Sequence, residues 1–354
     1  MAGLVWHISP TIESCSRKRI LAGRSVFGTN SIAIDVTGRD RARKGTVDQA
    51  MAQTELGNKI DRWLLKKGFR AEKPLSTLRL IEARRKATDP LGFLSSRGGA
   101  GSITKASKWG TYVPRGTGYR LFEPGTFPEL PAIIAAGEAI YKRHETVLNK
   151  DVNKRYFFNL MSEADVATYP VLIDFALSKP VTEIATGYFG HVPRLHSLGI
   201  FYSAVNDTVA GSQIFHVDGD CLAQLKCFIN VWGVESGGGE FTFLNKQQTT
   251  EAMRRTGLLK TITDEIVAKS VPPENQVHVF GAAGSGVFCD TSRCLHQGSR
   301  ARERPRLVFQ FQYVSRPDTL LQRKGKVGCG HVHVTPALIA GMKLSNPHAA
   351  RFVG

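Results

Sequence analysis

The chain has 354 residues, of which 42% are hydrophobic and 22% are charged. This composition is close to that of an average globular protein and excludes a wholly disordered, collagen-like or coiled-coil chain. The length allows one or two domains. Its longest apolar stretches are much shorter than the roughly 20 residues of a membrane-spanning helix, so we expect no membrane span.

The positive charge is concentrated in the first third of the chain. Residues 1–120 contain 23 basic and 9 acidic side chains, a net charge of +14, whereas the remaining residues contribute only +3 of the total of +17. A basic region of this kind can contact nucleic acid, an anionic membrane surface or a phosphorylated substrate. The simplest interpretation is a solvated extension, with residues 1–46 as a loosely ordered basic arm and residues 47–120 as a basic helical extension.

Apolar residues at helical spacing predict several helices in the first half of the chain. The predicted helices cover about residues 47–68, 76–87, 130–148 and 162–177. Ser162 and Asp165 have the spacing of a capping box at the start of the last one. Residues 95–102, SSRGGAGS, are predicted to form a loop, and they lack the lysine and the strand–loop–helix context of a phosphate-binding loop.

The periodicity changes after Gly190. Between Gly199 and Val314, six or more short runs rich in Val, Ile, Phe and Tyr are separated by Gly, Asp and Ser. Short strands at this density predict an antiparallel sandwich or barrel, and therefore an α+β fold with a mainly β core. A helical insertion is predicted at about residues 248–269, before Pro272.

His216 and Asp218 are separated by one residue at the end of a predicted strand. Residues i and i+2 of a strand face the same side, so this imidazole and carboxylate can bind one metal ion. Asp220 is a weaker alternative, because a spacing of four residues fits a strand poorly. His296 lies after another strand-like segment, and two histidines with one carboxylate favour non-haem Fe(II) over tetrahedral zinc.

Arg306 lies ten residues beyond His296, at the start of the last strong strand, RLVFQFQYV. A guanidinium group can hold a carboxylate through two parallel hydrogen bonds. Taken alone, Arg306 could equally be a surface residue that begins an edge strand. Together with the candidate metal ligands, it favours a site that binds an acid co-substrate beside the metal.

Two segments, SQIFHVDGDCLAQLKCFINVWGVESGGGEFTFL and GSGVFCDTSRCLHQGSRARERPRLVFQFQY, resemble the phytanoyl-CoA dioxygenase-like family of Fe(II)/2-oxoglutarate-dependent oxygenases. The resemblance covers about residues 160–316. It implies a double-stranded β-helix, also called a jelly-roll or cupin-like fold, with N-terminal helices packed around it and a helical insertion. The corresponding domain would span residues 121–330, followed by a C-terminal tail at 331–354.

The same resemblance implies the roles of individual residues. The iron ligands would be His216, Asp218 and His296, and Arg306 would pair with the C5 carboxylate of 2-oxoglutarate. The implied enzyme consumes O2 and 2-oxoglutarate, releases succinate and CO2, and hydroxylates a small-molecule substrate. Related halogenases have a small residue at the position of Asp218, so the carboxylate favours hydroxylation or another oxidation.

Three further residues are candidate contacts of 2-oxoglutarate. Gln310 shares a strand face with Arg306, and Ser299 lies between His296 and Arg306. Lys226 alternates with apolar residues and can face the barrel interior, although an outward-facing lysine fits the pattern equally well. The basic residues at 300, 302 and 304 could favour an anionic substrate or could form a solvated turn.

Other functions remain open from the sequence. The basic N-terminal region could dock a nucleic acid or protein that the barrel hydroxylates. The barrel could also be an inactive binding module, or a cupin-like metalloenzyme that does not use 2-oxoglutarate. Neither the identity of the substrate nor the oligomeric state is indicated.

The cysteines and remaining histidines give weaker signals. Six cysteines in a chain of this length predict reduced thiols, and the absence of a secretory signal pattern predicts a cytoplasmic location. Cys329, His331 and His333 form a cluster that lacks a convincing fourth ligand for zinc. His191 and His196 lie near the strand that leads into the barrel and could shape a substrate pocket.

Overall fold

The computed structural model describes residues 90–105, 107–148, 156–218, 223–256, 261–315 and 331–353. The predicted arm at 1–46 and the predicted helices at 47–68 and 76–87 lie outside these residues, and the division of the chain into four parts stays a prediction. None of the described helices is both long and apolar enough to span a membrane.

Eight α-helices lie in the described part of the chain, five of them before Gly190. They are α1 (Pro90–Thr104), α2 (Leu130–Leu148), α3 (Glu163–Thr168), α4 (Val171–Ala176), α5 (Lys179–Phe189), α6 (Lys246–Arg255), α7 (Asp264–Ala268) and α8 (Pro336–Ile339). Short 3-10 helices lie at Lys108–Thr111, Gly211–Gln213, Pro273–Asn275 and Ala349–Phe352.

The helix predicted at 130–148 is confirmed, since α2 has these bounds. The segment predicted as one helix at 162–177 forms α3 and α4, because Pro170 lacks the amide hydrogen that a continuous helix needs there. The capping box is confirmed, with the Ser162 amide donating to Asp165 Oδ2 at 2.8 Å. The sequence analysis did not predict α5, which ends at Gly190 with φ of 74°.

The loop predicted at residues 95–102 is wrong, because these residues belong to α1. This helix packs against α5, and Ala100 and Ile103 are buried. A side chain at Gly99 would come within 3.3 Å of Val192, so the small residue permits a close approach. Tertiary packing therefore outweighs the low helix propensity of the glycines.

Two antiparallel sheets form the β part of the protein, as the strand pattern predicts. The strands are β1 (Tyr119–Phe122), β2 (Phe157–Asn159), β3 (Arg194–Ser203), β4 (Phe215–His216), β5 (Gln224–Asn230), β6 (Phe241–Phe243), β7 (Thr261–Ile262), β8 (Val277–Val279), β9 (Gly286–Cys289), β10 (His296–Gln297), β11 (Arg306–Val314) and β12 (Val332–His333). The larger sheet has the order β1-β9-β5-β11-β3-β12, with β2 also paired to β3, and the smaller has the order β7-β4-β10-β6-β8.

The two faces of the larger sheet pack against different parts of the protein. Its outer face packs against the helices, where Ile133 of α2 and Phe175 of α4 share a core with Phe309 and Phe311 of β11. A separate core contains residues from both sheets, namely Phe201, Phe228, Phe241, Phe243, Val279, Val287, Cys289, Cys294 and Val308. The inner face of the larger sheet therefore packs against the smaller sheet. The described cysteines, Cys227, Cys289 and Cys294, are buried and free.

The insertion is not the single helix predicted at 248–269. It contains α6, the short strand β7 and α7. The β-branched Thr261 and Ile262 favour an extended backbone, and β7 pairs with β4 so that Thr261 lies opposite His216. The insertion thus extends the smaller sheet beside a candidate metal ligand.

A side chain at Gly286 would disrupt the contact between β9 and β5. The added Cβ atom would lie 2.0 Å from the Phe228 carbonyl oxygen, so we expect Gly286→Ala to reduce the free energy of unfolding by at least about 1–3 kcal/mol. Urea denaturation measures this change. Gly116→Ala is the control, because a Cβ there meets no atom within 4 Å, and equal stability of the two variants would contradict the packing described here.

Candidate metal and co-substrate site

The fold brings His216, Asp218 and His296 together. His216 in β4 and His296 in β10 lie directly opposite each other in the antiparallel pair, and their ring centroids are 4.3 Å apart. Asp218 follows two residues after His216, and its amide donates to the Thr291 carbonyl at 2.9 Å. One potential ligand atom from each of the three residues lies within 4.8 Å of the others.

Backbone carbonyls fix the orientation of both imidazoles. His216 Nδ1 lies 2.8 Å from the Ile214 carbonyl oxygen, and His296 Nδ1 lies 2.9 Å from that of Cys294. Because a carbonyl can only accept, each Nδ1 carries the hydrogen and each Nε2 keeps its lone pair. Both Nε2 atoms lie 3.8 Å from a carboxylate oxygen of Asp218.

The electrostatic environment suits a metal cation. Burial opposes ionisation of Asp218, but the neighbouring Lys226 ammonium holds its pKa well below the usual range. Burial, together with the neighbouring His216, lowers the pKa of His296 to about 3. A neutral imidazole and an ionised carboxylate are the protonation states that metal binding requires. Among the described residues, no other group of His, Cys, Asp or Glu side chains meets the same distance criterion.

Lys226 faces the space between the sheets and is buried. Its Nζ lies 2.8 Å from Asp218 Oδ2. Lys226 pairs with Gln312 across β5 and β11, six residues along β11 from Arg306. The structure therefore places Lys226 against a candidate metal ligand, at the end of the sheet away from Arg306. The predicted contact of Lys226 with 2-oxoglutarate stays a prediction.

Arg306 begins β11 and is buried. Its Nη2 makes one long hydrogen bond of 3.4 Å to Asn230 Oδ1, and its Nε has no hydrogen-bond partner among the described residues. Burial lowers the pKa of Arg306 to about 10, so the group stays charged at neutral pH. A buried cation with an unused N–H group is costly unless an anion pairs with it, and the guanidinium therefore fits a carboxylate ligand.

Gln310 supplies a second unused donor on the same strand face as Arg306. It is buried, and its Nε2 has no partner within the described part of the chain. Ser299 is also buried, but the contacts shown are those of its backbone, whose carbonyl accepts hydrogen bonds from Gln213 at 2.9 Å and Asn206 at 3.3 Å. With φ of 65°, Ser299 forms the turn between the strands of His296 and Arg306.

A buried ionic cluster supports the turn that leads to His296. Asp290 accepts hydrogen bonds from Tyr188, from Ser292 at 2.6 Å and from Arg293 at 3.2 Å. Asp290 and Arg293 are almost fully buried. The adjacent Thr291 carbonyl receives the Asp218 amide. The sequence analysis missed this cluster, although opposite charges in the apolar segment VFCDTSRCLH were a signal of a buried pair.

Removing Arg293 from this cluster should destabilise the fold. We expect Arg293→Met to lower the free energy of unfolding by about 3–5 kcal/mol, because it removes the buried cation that hydrogen-bonds the Asp290 carboxylate. Urea denaturation measures the difference. Arg304→Met is the matched control, since the Arg304 side chain is 69% exposed and its bridge to Glu235 is on the surface. A loss no larger than that of the control would contradict the structural role of Arg293.

Three arginines that could favour an anionic substrate bind groups of the chain itself. Arg300 forms a salt bridge with Asp264, Arg302 donates to the Asn206 carbonyl at 2.6 Å, and Arg304 lies 2.8 Å from Glu235. These contacts remove the argument that the three residues gave for an anionic substrate.

The remaining histidines divide into structural and inward-facing ones. His191 Nε2 lies 3.0 Å from Ser315 Oγ in a buried contact. The ring of His196 lies 4.8 Å from that of His333, and the ring of His331 lies 5.0 Å from that of Phe201. Cys329 and Asp220 lie outside the described residues.

Comparison with known proteins gives only distant structural similarity. No family model and no curated protein matches the chain. Among solved structures, the 2-oxoglutarate-dependent carbocyclase SnoK from nogalamycin biosynthesis is 17% identical, with a TM-score of 0.38, over 60% of this chain and 85% of its own.

Two further solved structures have similar sequence identities and TM-scores. HygX from Streptomyces hygroscopicus, with nickel and 2-oxoglutarate bound, is 14% identical, with a TM-score of 0.39 over 59% of this chain and 86% of its own. EctD from S. alaskensis with bound Fe is 12% identical, with a TM-score of 0.40 over 59% and 76%. Similarity at this level establishes neither a family nor an activity for this chain, so the functional argument rests on its own residues.

Proposed function

We propose that this protein is an Fe(II)/2-oxoglutarate-dependent dioxygenase of the phytanoyl-CoA dioxygenase-like family. The observation that carries the proposal is the convergence of His216, Asp218 and His296 on one point, together with the buried and incompletely paired guanidinium of Arg306. Two imidazoles and one carboxylate bind one face of an octahedral Fe(II) and leave three positions open.

We further infer that the two sheets form a double-stranded β-helix. The chain crosses repeatedly between the sheets, with β3, β5, β9 and β11 in the larger one and β4, β6, β8 and β10 in the smaller one. Of these eight strands, only β6 and β8 follow each other in the same sheet, on either side of β7. Eight antiparallel strands arranged in two facing sheets are typical of jelly-roll folds. In this arrangement, the candidate ligands project from the smaller sheet toward the larger one.

The residues of the chain have distinct roles in this proposal. His216, Asp218 and His296 hold the metal, and Arg306 with Gln310 orients the far carboxylate of 2-oxoglutarate. Phe228 and Phe241, whose ring centroids are 4.7 Å apart, exclude water from the region between the two sheets. Bound Fe(II) and 2-oxoglutarate supply the activation of O2, with conversion of 2-oxoglutarate to succinate and CO2. The carboxylate at Asp218 favours hydroxylation or another oxidation of a small molecule over halogenation.

The production of succinate tests the proposed activity. We expect the full chain with Fe(II), 2-oxoglutarate and O2 to form succinate slowly, and faster when a panel of small metabolites includes a substrate. His296→Ala should reduce succinate to the background rate. His278→Ala is the matched control, because His278 lies in β8 outside the candidate ligand set and hydrogen-bonds Thr242. If His296→Ala formed succinate as fast as His278→Ala and the unmodified protein, the proposed metal site would be excluded.

A further inference from the structure

The C-terminal strand β12 and the residue directly before it bring two histidines to the larger sheet. In this strand Val332 pairs with Leu198, and His333 pairs with Ser197. Val332 and Leu198 lie in the core that faces the helices, whereas Ser197 hydrogen-bonds Gln312 at 2.9 Å on the inner side. Because side chains alternate along a strand, His333 lies on the same face as Ser197, where it is exposed at the edge of the sheet. His331, directly before β12, lies on that face as well and contacts Phe201.

A third histidine joins them from β3. The register of β3 and β11 shifts between Gln312 and Tyr313, and His196 is the extra residue in β3 at this bulge. Its ring lies 4.8 Å from that of His333. The ring of His331 packs 5.0 Å from that of Phe201, and its buried Nδ1 has no hydrogen-bond partner among the described residues.

In this cluster of His196, His331 and His333, His196 and His333 lie level with Gln312, six residues along β11 from Arg306. His331 lies against Phe201, which pairs with Val308, two residues from Arg306. Lys226, Gln312, Ser197 and His333 form one row of neighbouring residues across β5, β11, β3 and β12. Lys226 contacts Asp218, and Arg306 approaches the sheet near Gly298, two residues after His296. His196 and His333 therefore lie toward the end of the larger sheet at which Lys226 contacts a candidate metal ligand, away from Arg306.

The charges around the cluster are mainly positive. The charged side chains whose electrostatic interactions shift the pKa values of His196 and His331 are Lys226, Arg194 and Asp218. Asp218 is the only acid among them, and its carboxylate already contacts Lys226 and is a candidate metal ligand. Burial lowers the pKa of His196 to about 4 and that of His331 to about 3, so both rings are neutral N–H donors at neutral pH.

A second metal site explains the cluster less well. Within the described residues, the close-packed ligand set is that of His216, Asp218 and His296, and the histidine cluster does not reach the same spacing. Neutral imidazoles in a positive field are instead suited to donate hydrogen bonds to an anion.

We infer that His196, His331 and His333 form the substrate-binding side of the site and bind an oxyanion group of the substrate, either a carboxylate or a phosphate. This inference rests on the proposed function, because it takes the neighbouring metal site as the reaction centre. It makes the three histidines determinants of substrate specificity.

Imidazole NMR spectra of the full chain, loaded with Zn(II) and 2-oxoglutarate, test the inference. The probes are methylphosphonate and, separately, acetate. We expect the signals of His196, His331 and His333 to shift together and to saturate with one of the two probes. A response to methylphosphonate alone would identify a phosphate group, and a response to acetate would identify a carboxylate.

Variants of the cluster histidines test whether the probe binds at this site. His331→Asn and His333→Asn should each weaken binding of the probe at least about tenfold, the loss expected for one hydrogen bond to a charged group. His144→Asn on α2 is the control and should bind like the unmodified protein. No saturable shift with either probe, or undiminished binding by His331→Asn, would overturn the inference. Shifts of the His216 and His296 signals on adding Zn(II) test the metal site independently in the same samples.

Discussion

Replacing Asp218 with alanine is expected to abolish 2-oxoglutarate turnover and to weaken Fe(II) binding by more than about 100-fold. Loss of a residue that only supports a metal ligand typically costs 10–100-fold in affinity, so loss of the anionic ligand itself should cost more. The variant also leaves the Lys226 ammonium, now 2.8 Å from the Asp218 carboxylate, without its counter-charge, and this cation repels the metal ion. Competition with a chromogenic chelator measures the affinity.

Two controls distinguish a lost ligand from a damaged fold. Asp207→Ala removes an exposed carboxylate whose nearest cation, Arg302, is 3.6 Å away, and it should leave turnover and Fe(II) affinity unchanged. The double variant Asp218→Ala/Lys226→Met removes both members of the buried pair, so it should regain stability relative to Asp218→Ala without regaining metal binding. Normal turnover by Asp218→Ala would exclude it as an iron ligand.

Replacing Arg306 with leucine is expected to weaken binding of 2-oxoglutarate by about 30- to 4,000-fold. Truncating one member of a buried, hydrogen-bonded charge pair costs about 2–5 kcal/mol of binding free energy. The affinity for Fe(II) should not change, because Arg306 is not a ligand. Isothermal titration under anaerobic conditions measures both affinities on the same protein.

The stability of Arg306→Leu gives a second and independent readout. In the absence of 2-oxoglutarate, the guanidinium is buried with only a 3.4 Å hydrogen bond to Asn230 and an unused Nε. We therefore expect the free energy of unfolding of the variant to equal or exceed that of the unmodified protein. Arg304→Leu is the surface control for both measurements. Unchanged affinity for 2-oxoglutarate would contradict the role of Arg306.

The sequence predicted the close pair of candidate ligands better than the distant one. The i, i+2 spacing of His216 and Asp218 follows from strand geometry alone. The position of His296, 80 residues further along, depends on β10 pairing with β4, and no local pattern encodes that register. His296 was a candidate because it follows a strand-like segment and completes a two-histidine, one-carboxylate set, and the family resemblance supported it. The antiparallel pairing now gives a physical reason for its proximity.

The orientation of Lys226 could not be predicted because all seven residues of β5 are buried. A strand that is covered on both faces does not show the polar–apolar alternation that reveals which side chains face inward. The pairing with Gln312 and the contact with Asp218 decide the question.

Short elements were also missed, since tertiary contacts stabilise them. Strand β12 has two residues, too few to show any periodicity, and it forms only because the edge of β3 is available to it. Strand β7 interrupts the predicted helix at 248–269 for a similar reason. Strand β7 nevertheless places Thr261 opposite the candidate ligand His216, and β12 places His333 in one row with Ser197, Gln312 and Lys226.

The most direct test of the central claim is an anaerobic titration of the full chain with Fe(II) and then 2-oxoglutarate, followed through the weak visible charge-transfer band of the chelated complex. The site described here predicts that the band forms with the unmodified protein without any substrate. It should be absent from His296→Ala and Asp218→Ala, and Arg306→Leu should need a much higher concentration of 2-oxoglutarate. A folded, unmodified protein that gives no band would contradict the assignment of these residues to iron and 2-oxoglutarate.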